Sequence, residues 1–469
     1  MYIQQLYTNC LSEAAYFIED GGEAAIVDPL RDIEVYLQMA AERNVRIKYI
    51  FETHFHADFV SGHLDLSKAT GAPIVYGPGA VTGFAVYQAK DGERFRIGSL
   101  ELEVLHTPGH TLESSCYLLR DADGKPHCVF TGDTLFVGDV GRPDLAQKGA
   151  ELTTQDLAGM LYDSIQRKLF PLADEVLVYP AHGPGSACGK NLGPHTQSTI
   201  GEEKKTNYAM KASSREEFIQ QVTEGIPAPP AYFPVNARIN REGYAELDQV
   251  IEKGMKAITP AAFKKRADEG ILVLDTRHAD TFMKGFVPGA VSIGLEGRFA
   301  EWAGSLLPFD KPFLLVTEAG KEKETIVRLA RVGFDKMEGY LEGGLEGWQA
   351  AGFPIDMIID VEADELMMDI PHDPHLVVVD VRRETEYADG HLKDAMNLPL
   401  QEMTDPGMLA AFEDHQNLYI HCAGGYRSVI AASLLKRQGI HNLRNVNGGW
   451  AKIKEQEKAE VVKESRVLN

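Results

Sequence analysis

Short apolar runs recur along the chain, bounded by turn-forming residues. Val45-Arg46-Ile47-Lys48-Tyr49-Ile50-Phe51 has strand character, and Ala24-Ala25-Ile26-Val27-Asp28-Pro29 is a strand that ends at a turn. Between them, Ile33 to Asn44 spaces its apolar residues as an amphipathic helix. Asp121-Ala122-Asp123-Gly124 is a hairpin-turn signal between Tyr117-Leu118-Leu119 and Cys128-Val129-Phe130. Strands and helices alternate in this way up to about Gly225. There Gly225-Ile226-Pro227-Ala228-Pro229-Pro230-Ala231-Tyr232-Phe233-Pro234 blocks helix and reads as a stiff exit from a first domain, placed at 1–240.

Beyond it the pattern repeats. Ile271-Leu272-Val273-Leu274-Asp275-Thr276-Arg277 parallels Leu376-Val377-Val378-Val379-Asp380-Val381-Arg382, and Phe313-Leu314-Leu315-Val316-Thr317-Glu318 parallels Asn417-Leu418-Tyr419-Ile420-His421-Cys422. Gly343-Gly344 before Trp348 parallels Gly448-Gly449-Trp450. Each copy reads strand, helix, strand, helix, with Val/Ile/Leu-rich strands fit to be buried on both faces, so each predicts a small parallel α/β domain, at 250–355 and 361–462.

The first chemistry follows the strand that ends at Phe51. In Thr53-His54-Phe55-His56-Ala57-Asp58-Phe59, alternate residues of an extended segment point the same way, so His54, His56 and Asp58 converge as a metal site at a strand's end. His110 in Thr107-Pro108-Gly109-His110-Thr111, Asp133 in Thr131-Gly132-Asp133-Thr134 and His182 in Pro180-Ala181-His182-Gly183 each follow a strand-like run.

This series resembles the metallo-β-lactamase superfamily over about the first half of the chain. The resemblance implies an αββα sandwich with metal at one edge, followed here by the two parallel α/β domains. Dinuclear zinc hydrolases of the superfamily carry HxHxDH, whereas Phe59 follows Asp58 here, and a phenyl ring cannot ligate. A single metal is the simpler reading. His54, His110 and Asp133 would then be two histidines and a carboxylate with open positions, a set suited to non-haem Fe(II) and matching the persulfide dioxygenases of the superfamily. The same resemblance makes His56 a ligand or a supporting residue, and Asp58 and His182 the remains of a vacant second site. Imidazole and carboxylate also serve zinc, which remains the alternative metal. Arg142, in Gly141-Arg142-Pro143-Asp144, is either a guanidinium fork for an anionic thiol or a solvated loop charge. Cys188, in a glycine-rich loop soon after His182, is either a sulfur-carrying residue near the metal or a small residue filling a tight turn.

In the second repeat, Cys422-Ala423-Gly424-Gly425-Tyr426-Arg427-Ser428 follows a buried strand and opens a helix expected over about Ser428 to Lys436. Glycines let successive N–H groups turn inward as an anion-binding nest, and a helix N-terminus adds positive potential. Such a cradle favours thiolate, so Cys422 and Arg427 are candidate catalytic residues for holding sulfur as a persulfide. This segment resembles the rhodanese family. In the first repeat Glu318 stands where Cys422 stands, so that copy cannot form a persulfide and is expected to have a structural or docking role.

Composition narrows the partners. A formal charge of −22 over 469 residues argues against nucleic acid and anionic membranes. No run of about 20 apolar residues or leader-like N-terminus occurs, so neither a spanning helix nor a signal peptide is expected. Five scattered cysteines fit a reducing compartment, and a cytoplasmic location is expected. The joint expectation is a homo-oligomeric (dimeric or tetrameric) persulfide dioxygenase with one Fe(II) per chain. It would take a small thiol persulfide and O₂ to sulfite and thiol, with sulfite and thiosulfate handled at Cys422. The alternatives are a zinc thioester hydrolase of the glyoxalase II type and a non-catalytic sulfur-carrier scaffold.

Overall fold

β-Branched and aromatic residues at alternate positions build two six-stranded sheets in the first part of this computed structural model, which describes residues 1–147, 152–405, 407, 412–413 and 415–464. One sheet runs β1 (Tyr2–Thr8), β2 (Glu13–Asp20), β3 (Glu23–Val27), β4 (Arg46–Glu52), β5 (Ile74–Tyr76), β6 (Tyr87–Gln88) in spatial order. The other runs β12 (Ser198–Thr199), β11 (Leu177–Pro180), β10 (Pro126–Gly132), β9 (Ser115–Arg120), β8 (Leu100–His106), β7 (Arg94–Ile97). Tyr16, Phe51, Val75, Val104, Tyr117 and Phe130 meet in the core between them, where Phe51 and Tyr117 pack with ring centroids 4.9 Å apart. Separate apolar clusters, such as Ile26, Tyr36 and Leu66 on one side and Leu118, Leu161 and Phe218 on the other, seat helices on the outer faces. This is the expected αββα sandwich.

The expected helix spans Glu34–Glu42, and the Asp121–Gly124 turn joins β9 to β10 as expected.

The Pro-rich stretch is not where the first unit ends. Two compact units are found, one of Met1–Gln249 together with Val327–Asp335, the other of Val250–Ile326 with Lys336–Asn469. After the prolines, helix Phe233–Glu242 carries Asn240 fully buried beneath the HxHxD loop, donating to the carbonyls of His56 (2.8 Å) and Phe59 (2.7 Å) and accepting from Ser61 N–H. Prolines block helix locally but do not prevent the chain from folding back beyond them. Within the same unit the buried Arg31 forks onto Asp335, and Arg331 onto Asp32.

The second unit holds two five-stranded parallel sheets of identical plan. The first is β13 (Ala257–Ile258), β17 (Met337–Leu341), β16 (Phe313–Val316), β14 (Leu272–Asp275), β15 (Val291–Ser292); the second is β18 (Ile359–Val361), β22 (Leu443–Val446), β21 (Asn417–His421), β19 (Leu376–Asp380), β20 (Met396–Asn397). The repeat extends to side chains. Arg277 Nη2 meets Asp275 at 2.6 Å and the Gly285 carbonyl at 2.9 Å, and Arg382 Nη2 meets Asp380 at 2.5 Å and the Gly390 carbonyl at 2.8 Å. Among the described residues, no helix is long and apolar enough to cross a membrane.

Candidate metal centre and sulfur site

The sandwich brings strand ends together at one edge. β4 delivers His54, His56 and Asp58; β10 delivers Asp133; β11 delivers His182; the turn after β8 delivers His110. All six are buried. His54 Nε2 and His110 Nε2 lie 3.7 and 3.4 Å from Asp133 Oδ2, while His182 Nε2 lies 3.5 Å from Asp133 Oδ1 and 3.4 Å from Asp58 Oδ2. Asp133 thus faces two donor sets, one with His54 and His110, the other with His182 and Asp58.

The donor atoms fit a cation. His54 Nε2, His56 Nδ1, Asp58 Oδ1, both oxygens of Asp133 and His182 Nε2 are buried without hydrogen-bond partners. Each such orphan costs about 1–3 kcal/mol, and their convergence is what a metal ion would satisfy. Ligand atoms of His54, His110 and Asp133 lie within 4.8 Å of one another, as do those of His56, Asp58 and His182. Burial, then the neighbouring histidines, pushes the His54 pKa well down and keeps that ring neutral, the form that ligates.

The remaining ring nitrogens are held from behind, which aims the ligating ones. His110 Nδ1 lies 2.8 Å from the Arg142 carbonyl and His182 Nδ1 lies 3.1 Å from the Ser12 carbonyl. His54 Nδ1 is 2.9 Å from Thr53 Oγ1, which donates onward to Asp28 Oδ2 at 2.8 Å. Ser12 and Asp28 both hold left-handed backbone, with φ of 52° and 51°. Two glycines are required by close approach. A Cβ on Gly132 would stand 2.6 Å from Thr53 Cβ, and one on Gly141 would stand 2.0 Å from the Asp133 carbonyl oxygen.

His56 faces two ways. Its Nε2 lies 3.1 Å from Asp28 and 3.5 Å from Glu52, which leaves Nδ1 on the other side of the ring. The Phe59 ring is fully buried against it, with centroids 4.3 Å apart. Sequence reasoning missed Ser12, Thr53, Asp28, Glu52 and Asn240, because several act through backbone groups or across long chain separations.

Arg142 departs from expectation. It is buried, its fork grips Asp144 at 2.7 and 2.8 Å, and its remaining donors reach the Ala187 and Pro227 carbonyls. That geometry ties three loops together instead of presenting a guanidinium to substrate. Cys188 is at the site: its sulfur groups with Asp133 and His182 within 4.8 Å. Burial, then Asp58 and Asp133, pushes its thiol pKa well up.

In the second unit the Cys422 loop has the expected form. Helix Tyr426–Arg437 begins two residues earlier than the glycine-rich sequence implied, and Gly425 N–H donates to Cys422 Sγ at 3.1 Å from left-handed backbone, φ 112°. Trp450 N–H holds the Cys422 carbonyl at 2.6 Å. Arg427 binds Glu386 through both terminal nitrogens, at 2.6 and 2.8 Å. In the first repeat the equivalent loop presents Glu318, exposed, with the His278 N–H 3.4 Å from its carboxylate.

A family model described as the metallo-beta-lactamase superfamily matches residues 8–182, and one described as the rhodanese-like domain matches 259–351 and 362–456. A metallo-beta-lactamase of Staphylococcus aureus of known crystal structure is 30% identical, with a TM-score of 0.64 over 73% of this chain and 98% of that one. The chain belongs to the metallo-β-lactamase superfamily. Two rhodanese-like domains follow its lactamase-fold domain. Among curated relatives of the first domain, the mitochondrial persulfide dioxygenase ETHE1 of Bos taurus is 32% identical over 44% of this chain and 74% of its own length. A probable hydroxyacylglutathione hydrolase of Schizosaccharomyces pombe is 28% identical over 42% of this chain and 81% of its own length.

Proposed function

We propose that this superfamily member is an iron-dependent persulfide dioxygenase that also transfers sulfane sulfur at Cys422. The observation that carries the reading is the buried convergence of His54, His110 and Asp133, with His54 Nε2 and both Asp133 oxygens orphaned, together with a non-ligating Phe59 after Asp58. One Fe(II) held by these residues would supply open positions for O₂ and for a persulfide sulfur. The chain's own residues do the rest. The Arg142 carbonyl and Thr53 hydroxyl keep His110 and His54 in one tautomer and orientation, Asp28 steadies Thr53, and Cys188 lies with Asp133 and His182. The net reaction is persulfide plus O₂ plus water to thiol and sulfite. Similarity to the persulfide dioxygenase of Bos taurus supports this assignment.

At Cys422, Gly425 N–H donates to the sulfur that would accept sulfane sulfur and pass it among persulfide, sulfite and thiosulfate, and Arg427 stands in the first turn of the helix that follows. The repeats are proposed as domains 250–355 and 361–462. We place the protein in the cytoplasm, in keeping with five unpaired cysteines, and read it as a homo-oligomer.

A second reading, a zinc thioester hydrolase, is favoured by the grouping of His56, Asp58 and His182 beside the first donor set. Metal analysis with O₂ uptake on a thiol persulfide separates the two. Iron with sulfite release supports the first reading; zinc near two equivalents with thioester cleavage supports the second.

A further inference from the structure

Five charged side chains from both repeats meet beside the Cys422 loop. The hydroxyl of Tyr426, in the first turn after the loop, donates to the Gly294 carbonyl of the first repeat at 2.9 Å. That contact brings the segment leading into helix Phe299–Leu306 against the first turn after the Cys422 loop, and the helix has Arg298 at its N-cap and Glu301 in its first turn. Glu301 pairs with Arg298 on its own repeat, and its Oε1 lies 3.5 Å from Arg383 of the second. Arg427, next to Tyr426 in the chain, is held on Glu386, and burial raises the Glu301 carboxyl pKa against the opposing charges of Arg298, Arg383 and Arg427. The Glu301 side chain is only 15% exposed, whereas Arg298 and Arg383 are about half exposed, at 46% and 52%. Three guanidiniums therefore face two carboxylates, and one of those carboxylates is supplied by the repeat that has no cysteine.

A sulfur donor such as thiosulfate is a small dianion. In transfer, Cys422 Sγ attacks its sulfane sulfur, a new S–S bond forms, the donor's S–S bond breaks, and sulfite leaves with that electron pair, so total charge is unchanged. The oxyanion end of such a donor needs the guanidinium charge that Glu301 already takes up.

We propose that Glu301 is a specificity-determining residue of the Cys422 site: it neutralises part of the guanidinium cluster from within and so weakens binding of small dianionic sulfur donors relative to donors with a neutral group beside the sulfane sulfur. This rests on Cys422 as the sulfur-transferring nucleophile. It also gives the cysteine-less repeat a part in selecting the donor for its partner repeat.

The test uses the full chain with Glu301→Gln and, separately, Arg298→Gln. Cys422 alkylation is followed at its own peptide by mass spectrometry, with iodoacetate as anionic probe and iodoacetamide as neutral probe. The rate ratio cancels effects on thiolate content. Glu301→Gln raises the iodoacetate-to-iodoacetamide ratio about fivefold and Arg298→Gln lowers it by a similar factor, the scale expected for one unit charge in a half-exposed site. In parallel, Glu301→Gln lowers KM for thiosulfate with kcat within about twofold, and leaves KM for a neutral dialkyl trisulfide unchanged. An unchanged ratio in Glu301→Gln, or a shift in the same direction in both variants, overturns the proposal. If wild-type protein transfers no sulfur from thiosulfate, the sulfurtransferase reading fails, while the alkylation ratio still decides the role of Glu301.

Discussion

Asn240 donates its side-chain amide to the carbonyl oxygen of Phe59 at 2.7 Å, from a helix that lies beyond the Pro-rich stretch. Its other contacts, to His56 and Ser61, complete a buried three-bond brace under the metal-facing loop. Asn240→Ala leaves two carbonyls and an N–H buried without partners, at a cost of roughly 3 kcal/mol. Urea denaturation should show that loss, and the purified variant should retain less metal than wild type. Unchanged stability would mean that the loop holds its shape without the brace.

Phe59 occupies the position after Asp58, its ring buried against His56. Phe59→His offers an imidazole next to His56 and Asp58. Elemental analysis should show metal content rising from about one toward two per chain, with stability lowered by about 1–2 kcal/mol for the lost apolar burial. Two metals already present in wild-type protein would contradict the single-metal assignment.

The two repeats separate by one side chain. Cys422→Ser should abolish sulfur transfer from thiosulfate and leave O₂ uptake with a small persulfide largely intact, because only Cys422 supplies a nucleophile in that cradle. Glu318→Ala should leave both activities present. Loss of transfer in a folded Glu318→Ala protein would show that the first repeat takes part in the chemistry at its own loop.

Glu386 gives a pH signature. Its hydrogen bonds from Arg427 hold its carboxyl below the usual range, against the opposing effect of burial. A depressed folded-state pKa contributes stability that is present above the unfolded value and lost as pH falls through the folded one. The melting temperature of wild type should therefore exceed that of Glu386→Gln near neutrality. The gap should close on acidification below the ordinary glutamate range, and a gap independent of pH would remove the ion pair as its cause.

What was legible in the sequence was whatever repeats or alternates. The period-two run ending at Phe51 and the residues His54, His56 and Asp58 after it announced a strand-end donor set, and the duplicated Asp-x-Arg motifs at Asp275 and Asp380 announced the twin parallel sheets. The Cys422 loop was legible because glycine, helix start and arginine coincide within seven residues. Side chains that act at a distance were not. Nothing near Asn240 marks it as a brace for His56, 184 positions away. The carbonyls of Ser12 and Arg142 orient histidines as any residue's carbonyl could. Arg142 was read from its type alone, although Asp144, the residue that takes up its fork, stood two positions on. The prolines after Gly225 signalled a break in helix, and a break in helix is not a domain boundary.

The central claim is that His54, His110 and Asp133 hold one iron that oxidises a thiol persulfide. It is tested by O₂ consumption and sulfite release on a panel of thiol persulfides, with iron and zinc quantified in the same anaerobically purified sample. The account predicts about one iron per chain, sulfite formed in step with O₂ consumed, and loss of both in His54→Ala. Zinc near two equivalents, thioester cleavage and no O₂ uptake with any persulfide would contradict it.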